Sequence, residues 1–163
     1  MQFDLFQFIT RAAQPAERTF TLEIGEGWFS DYSIAEPVQV HFTVQHEGTS
    51  RVKLAMWFDV QTNAECARCL EPVTNTYQIR QEYMTSLEEL QSDLCDLPVS
   101  GRGMLDVNQL ALSEISLQVP QVVLCSEDCQ GLCPVCGSPR KLGCGCVEQS
   151  ADERLSIFDQ LLS

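Results

Sequence analysis

Basic residues are scarce in this chain of 163: ten lysines and arginines stand against 23 aspartates and glutamates, a formal charge of −13. A surface of that sign repels a phosphate backbone, so tight, nonspecific binding to bare RNA is a poor expectation and a basic partner fits better. Negative charge also serves solubility, and by itself identifies no partner. Histidine is nearly absent, with only His41 and His46, and neither sits in a recognisable active-site motif. No run of about 18 apolar residues occurs, which leaves no spanning helix and no membrane partner. The opening residues, MQFDLFQF, lack a basic start and an apolar run. A reducing, cytoplasmic setting is therefore expected, where disulfides do not persist.

Cysteine, by contrast, is plentiful. Six of the nine lie between Cys125 and Cys146, in CSEDCQGLCPVCGSPRKLGCGC, and Cys66 and Cys69 form an earlier CARC pair. An odd total cannot be fully paired within one chain. The spacings CxxC at 66 and 69, CxxC at 133 and 136, and CxC at 144 and 146 let neighbouring thiolates converge on one tetrahedral ion. Cys133, Cys136, Cys144 and Cys146 are close enough in sequence to close around one ion as a small knuckle. Zinc suits four thiolates, with an iron–sulfur cluster as the alternative. All-thiolate sites are closed and structural, whereas a catalytic zinc keeps an exchangeable position. Cys95 falls outside every paired spacing and reads as a small buried hydrophobe or a free thiol.

The segments CARCLEP at 66–72, LQVP followed by LC, EDCQGLCPVCG and GCGC resemble the YceD-like family of bacterial and plastid proteins. That family is associated with accumulation of large-subunit (23S) ribosomal RNA, and its genes commonly sit beside that of a small large-subunit ribosomal protein. The resemblance runs over most of the chain and is firmest from Cys66 onward. It implies that the CxRC pair is matched by a later pair, here Cys125 and Cys129, so that Cys66, Cys69, Cys125 and Cys129 form a first structural metal site. Up to two zinc ions per chain follow. The resemblance implies no catalytic residues.

The remaining pattern is that of an α+β fold: an antiparallel sheet with packed helices and a cysteine-rich, zinc-binding C-terminal region. Residues 1–18 read as a short strand or a turn of helix docking on the core. Alternation from Phe20 to Ile24 predicts a strand, and Trp28, Phe29 and Tyr32 read as a cap on one end of the core. Val38–Val44 and Val52–Phe58 alternate cleanly around HEGTS, which predicts an antiparallel hairpin. Thr76–Tyr83 supplies a further strand after the CARC turn. Ser86 and Glu89 form a capping-box pair, and Asp106 caps a helix set by Val107, Leu110, Ala111, Glu114 and Ile115. Leu117 and Val119 read as extended, with Pro120 ending the element. Leu155, Phe158, Leu161 and Leu162 form a helical stripe in the tail. Residues 1–129 are expected to form the body, including the first metal site, and residues 130–163 the knuckle and a C-terminal helix.

These readings lead to a non-enzymatic ribosome-biogenesis factor, as the resemblance implies. Its partner would be a large-subunit ribosomal protein or a pre-ribosomal particle. A direct nucleic-acid module is the rival, with Arg68, Arg140, Lys141 and Trp28 as candidate contacts to ribosomal RNA or a partner. A thiol–disulfide enzyme using CxxC is the third reading. It suits poorly the crowding of further cysteines at metal-like spacing.

Overall fold

The computed structural model describes residues 1–147, apart from 12, 13, 26, 36, 49, 93, 94 and 102. The expected tail helix at 150–163 lies outside the described residues. The fold is α+β.

Its frame is a hairpin of unusual length. β5 (Arg51–Glu65) and β6 (Pro72–Ser86) pair antiparallel along all fifteen residues, from Arg51↔Ser86 to Glu65↔Pro72. At about 3.4 Å per residue this arm is about 50 Å long. β4 (Gln39–Glu47) covers the first half of β5, with His41↔Trp57 and Glu47↔Arg51, and the glycine turn at 48 closes the expected hairpin. β3 (Tyr32–Ile34) takes over the same edge further along, pairing with residues 62–64. β2 (Ala16–Thr21) completes the sheet on the outer side of β4.

One face of the sheet is apolar because every second residue of β4 and β5 points to it. Val40, Phe42 and Val44 join Val52, Leu54, Met56, Phe58 and Val60, all buried. On the other face Trp57 is half-buried, its ring stacked on His41 at 5.4 Å. A second, small sheet is formed by β1 (Gln2–Asp4), β7 (Val99–Ser100) and β8 (Met104–Asp106), in the order β1-β8-β7. α1 (Leu5–Thr10) follows β1 directly and buries Leu5 and Phe8, so the N-terminal segment holds both a strand and a helical turn. Ser86 caps α2 (Leu87–Leu90) through a complete capping box with Glu89.

α3 (Val107–Gln118) is the longest helix among the described residues. The Asp106 carboxylate accepts from the amides of Asn108 and Gln109, at 3.0 and 3.1 Å. Val107, Leu110, Ala111 and Ile115 join the core, and α3 packs against β1 and β6.

Two expectations need correction. Leu117 is helical, not extended. A proline restricts the residue before it, and here only Val119, at φ −86° and ψ 120°, is pushed out of the helix. The strand expected at Phe20–Ile24 instead occupies Ala16–Thr21, because its register is set by pairing with β4 and not by its own side chains. Leu22 is still buried and donates its amide to Val38 O at 2.9 Å. Phe29 and Tyr32 stack at 5.0 Å with Tyr32 buried, as a core cap requires. Among the described residues no helix is long and apolar enough to cross a membrane.

Candidate metal centres

The connection between β5 and β6 closes on itself at the far end of the hairpin. Leu70 N–H donates to Cys66 O at 2.9 Å, and Cys66 N–H donates to Glu71 O at 2.8 Å. This turn buries both Cys66 and Cys69. Ala67 N–H donates to Val123 O at 2.9 Å, which lays the segment leaving α3 alongside the turn. Cys125 and Cys129 are thereby delivered opposite the CARC pair. Cys66 Sγ lies 3.7 Å from Cys129 Sγ, and Cys69 Sγ lies 3.5 Å from Cys125 Sγ. All four sulfur atoms fall within 4.8 Å of one another.

The second group is built from the same turn. Gly137 N–H donates to Cys133 O and Cys133 N–H to Ser138 O, each at 2.8 Å. A 3-10 turn at Arg140–Leu142 and Gly143, at φ +65°, then bring the chain back. Cys144 and Cys146 come to face Cys133 and Cys136, again with all four sulfurs within 4.8 Å.

The two groups are tied together. The Lys141 ammonium pairs with the Glu71 carboxylate, which also accepts from Cys69 Sγ at 3.8 Å. Arg68 Nη1 donates to Cys129 O at 2.8 Å and to Glu127 O at 3.4 Å. Gly131, at φ +75°, passes so close to this turn that a Cβ there would lie 3.1 Å from Arg68 O. Arg140 N–H donates to Gly131 O at 2.9 Å.

The spacing identifies what these thiols suit. A disulfide requires sulfurs about 2.05 Å apart, well inside the 3.5 Å approach of Cys69 and Cys125. Four thiolates at about 2.3 Å from a tetrahedral ion would be about 3.8 Å from each other, close to the two separations in the first group. Such packing suits one ion held by each group of four sulfurs.

Electrostatics point the same way. Burial opposes ionisation of Cys66, but the amides of Cys125, Arg68 and Cys69 outweigh it and bring the thiol down to about 6. At Cys69 the Glu71 amide favours the thiolate, yet burial and the neighbouring thiols win and push it up to about 12. The second group splits likewise. The Ser138 amide and hydroxyl bring Cys136 down to about 6, while Cys136 itself, burial and Cys144 push Cys146 up to about 12. Four sulfurs this close cannot all ionise without a cation among them, and a bound metal is the charge that would allow it. Among the described residues, two four-cysteine clusters able to coordinate a metal ion are present.

The other expected residues are placed differently. Cys95 is half-buried and belongs to neither cluster. His41 is bonded to Thr19 Oγ1 at 3.1 Å, and His46 stacks on Phe8 at 4.9 Å with its Nε2 buried and lacking a hydrogen-bond partner among the described residues. Trp28 is 48% exposed, with its ring 6.5 Å from that of Phe29. Arg68 and Lys141 are engaged within the cysteine region rather than displayed together. The sequence reading missed Glu71 and the strained Leu70. Both stand directly after Cys69, but Lys141 reaches Glu71 from 70 residues away, and no local pattern shows that.

The family model described as large ribosomal RNA subunit accumulation protein YceD matches residues 54–162. Uncharacterized proteins of Mycobacterium bovis and of two Mycobacterium tuberculosis strains are 30% identical to the chain over 105 residues, covering 62% of it and 51% of each relative. The chain thus spans about half the length of the curated relatives it matches. No solved structure matches it significantly.

Proposed function

The chain belongs to the YceD family of large ribosomal RNA subunit accumulation proteins, and from that membership we propose that it is a non-enzymatic ribosome-biogenesis factor acting through a basic large-subunit ribosomal protein or an assembly intermediate. A role related to ribosome biogenesis follows from the family. The protein-directed mode is our own step, and the observation that carries it is the charge balance of the cysteine region. Of its three cations Arg68, Arg140 and Lys141, Arg68 is bonded to Cys129 O and Glu127 O and Lys141 to Glu71, while Glu127 and Asp128 are exposed. Such a surface suits a basic protein better than phosphate.

Zinc is the ion we assign to both clusters, held by Cys66, Cys69, Cys125 and Cys129 and by Cys133, Cys136, Cys144 and Cys146. Bound there, a closed-shell ion would supply folding energy and rigidity, not a reactive position. Thiols committed to four-sulfur clusters are poor free nucleophiles, which weighs against the CxxC redox reading. Residues 1–129 would then act as the body, and 130–163 as an appendage closed on itself by the second ion and tied to the body through Lys141 and Glu71. The setting we propose is cytoplasmic.

The test is accumulation of 23S relative to 16S ribosomal RNA in cells whose own copy carries Cys66→Ser with Cys133→Ser. A fall in the ratio, with crosslinks from the wild-type protein to large-subunit proteins, is expected. An unchanged ratio in cells lacking the protein altogether would overturn the proposal.

A further inference from the structure

The two CxxC turns are the same device built twice. In each, the residue after the second cysteine donates its amide to the first cysteine's carbonyl, and the first cysteine's amide bonds the carbonyl one residue further on. Both turns need a left-handed backbone at that position. Gly137 adopts it at φ +71°, as glycine does without strain. Its counterpart is Leu70, at φ +61°, the one non-glycine with positive φ among the described residues. A leucine there forces its Cβ against the following carbonyl.

No compensating burial explains the leucine. Its side chain is 59% exposed, at the solvent end of the long hairpin. Strain held at an exposed position points from the outlier to a function. Other aliphatics surround the same end. Leu142, 72% exposed, follows the Lys141 that pairs with Glu71, so Leu70 and Leu142 are each next in sequence to one member of the same ion pair. Val122, 67% exposed, precedes the Val123 whose carbonyl accepts from Ala67. Three segments stitched together by the cysteine loops thus present exposed apolar side chains, and the second loop adds Val135 and Val147 to them.

The charge around them selects the occupant. Glu65, Glu127 and Asp128 are exposed, whereas of the cations Arg68, Arg140 and Lys141 in these segments Arg140 is half-buried and the other two are bonded internally. A phosphate backbone would be repelled and would gain nothing from leucine. A cationic peptide with an apolar side chain satisfies both features.

We propose that Leu70, Leu142 and Val122 form the apolar centre of a docking surface at the metal-bearing end of the hairpin, and that it takes a basic polypeptide segment carrying an apolar side chain. This rests on the protein-directed reading above and locates its contact. Leu70 is retained there for binding at the expense of backbone comfort.

Leu70→Gly separates the roles, since it removes the side chain and suits the backbone. The probes are individually purified, RNase-treated large-subunit ribosomal proteins and, separately, protein-free large-subunit RNA. At least one basic ribosomal protein is expected to bind the wild type. Leu70→Gly should weaken that binding at least tenfold, with Tm unchanged or raised and metal content unchanged. Leu142→Ser should weaken it in the same direction. Wild-type affinity in both variants would overturn the docking surface and leave the protein-directed reading standing. A fall in Tm or metal content for Leu70→Gly would make Leu70 a structural residue and overturn the proposal. If no ribosomal protein binds the wild type, or the RNA binds more tightly, the reading itself fails and the surface with it.

Discussion

Glu114 is a carboxylate held almost wholly inside the fold, 4% exposed on the core face of α3. It accepts from the Tyr83 hydroxyl on β6 and from Gln118 Nε2 at 2.8 Å. A buried charge is tolerable only when bonded in this way. Burial, and then the carboxylate itself, raise the Tyr83 phenol above its ordinary value of 10.0. A proton bound more tightly in the folded state means stability that is whole below pH 10 and declines as pH rises beyond it. Denaturant unfolding should therefore show falling stability on the alkaline side, with a flatter alkaline limb in Tyr83→Phe. At neutral pH that variant should lose about 1–3 kcal/mol, because Glu114 keeps only one partner. A Tyr83→Phe protein as stable as wild type would refute this account. The inward position of Glu114 was legible from its place beside Leu110, Ala111 and Ile115. Its partner was not, being 31 residues away on another element.

At the scale of elements, what could be read depended on how each element is buried. β4 and the first half of β5 alternate visibly because one face is core and the other is not. β2 lies on the sheet edge and is exposed at most of its positions, so AERTFT carries little period. The local turns were legible where a side chain closes them, as at Ser86 and Asp106. The second cysteine cluster was readable from spacing, since its four ligands span only fourteen residues, 133–146. The first needed a family resemblance, because β6 and α3 separate Cys69 from Cys125. That difference in reach sets different outcomes for metal loss. Cys66→Ser should lower zinc content from two ions to one and free the 123–131 segment from the hairpin, opening it to protease. Cys133→Ser should also leave one ion, yet leave unfolding of the sheet close to wild type. Elemental analysis with limited proteolysis checks both, and a folded, reduced protein without stoichiometric metal would refute the assignment.

At the scale of the whole molecule, the charge of −13 and the acidic rim around Leu70 act at different ranges. The overall field speeds encounter with any cationic partner, whereas close contact decides which one stays. Field effects fade with salt, since the screening length is about 8 Å near physiological ionic strength. Association with an RNase-treated basic ribosomal protein should therefore slow and weaken as salt rises from about 50 to about 500 mM, while the apolar contact leaves a residual affinity. A small basic patch binding RNA would also lose affinity with salt, so the salt slope alone does not discriminate. Replacing Arg140 and Lys141 with glutamine does. Lys141 is bonded to Glu71 within the chain, and its loss would leave the surface more acidic, not less able to attract a cation. The double variant should retain its metal and bind the basic protein at least as well as wild type. Protein-free large-subunit RNA should bind both forms weakly under the same conditions. If the RNA instead binds tightly, and the two glutamines abolish that binding while the zinc count holds, direct RNA recognition replaces protein docking as the proposed mode of action.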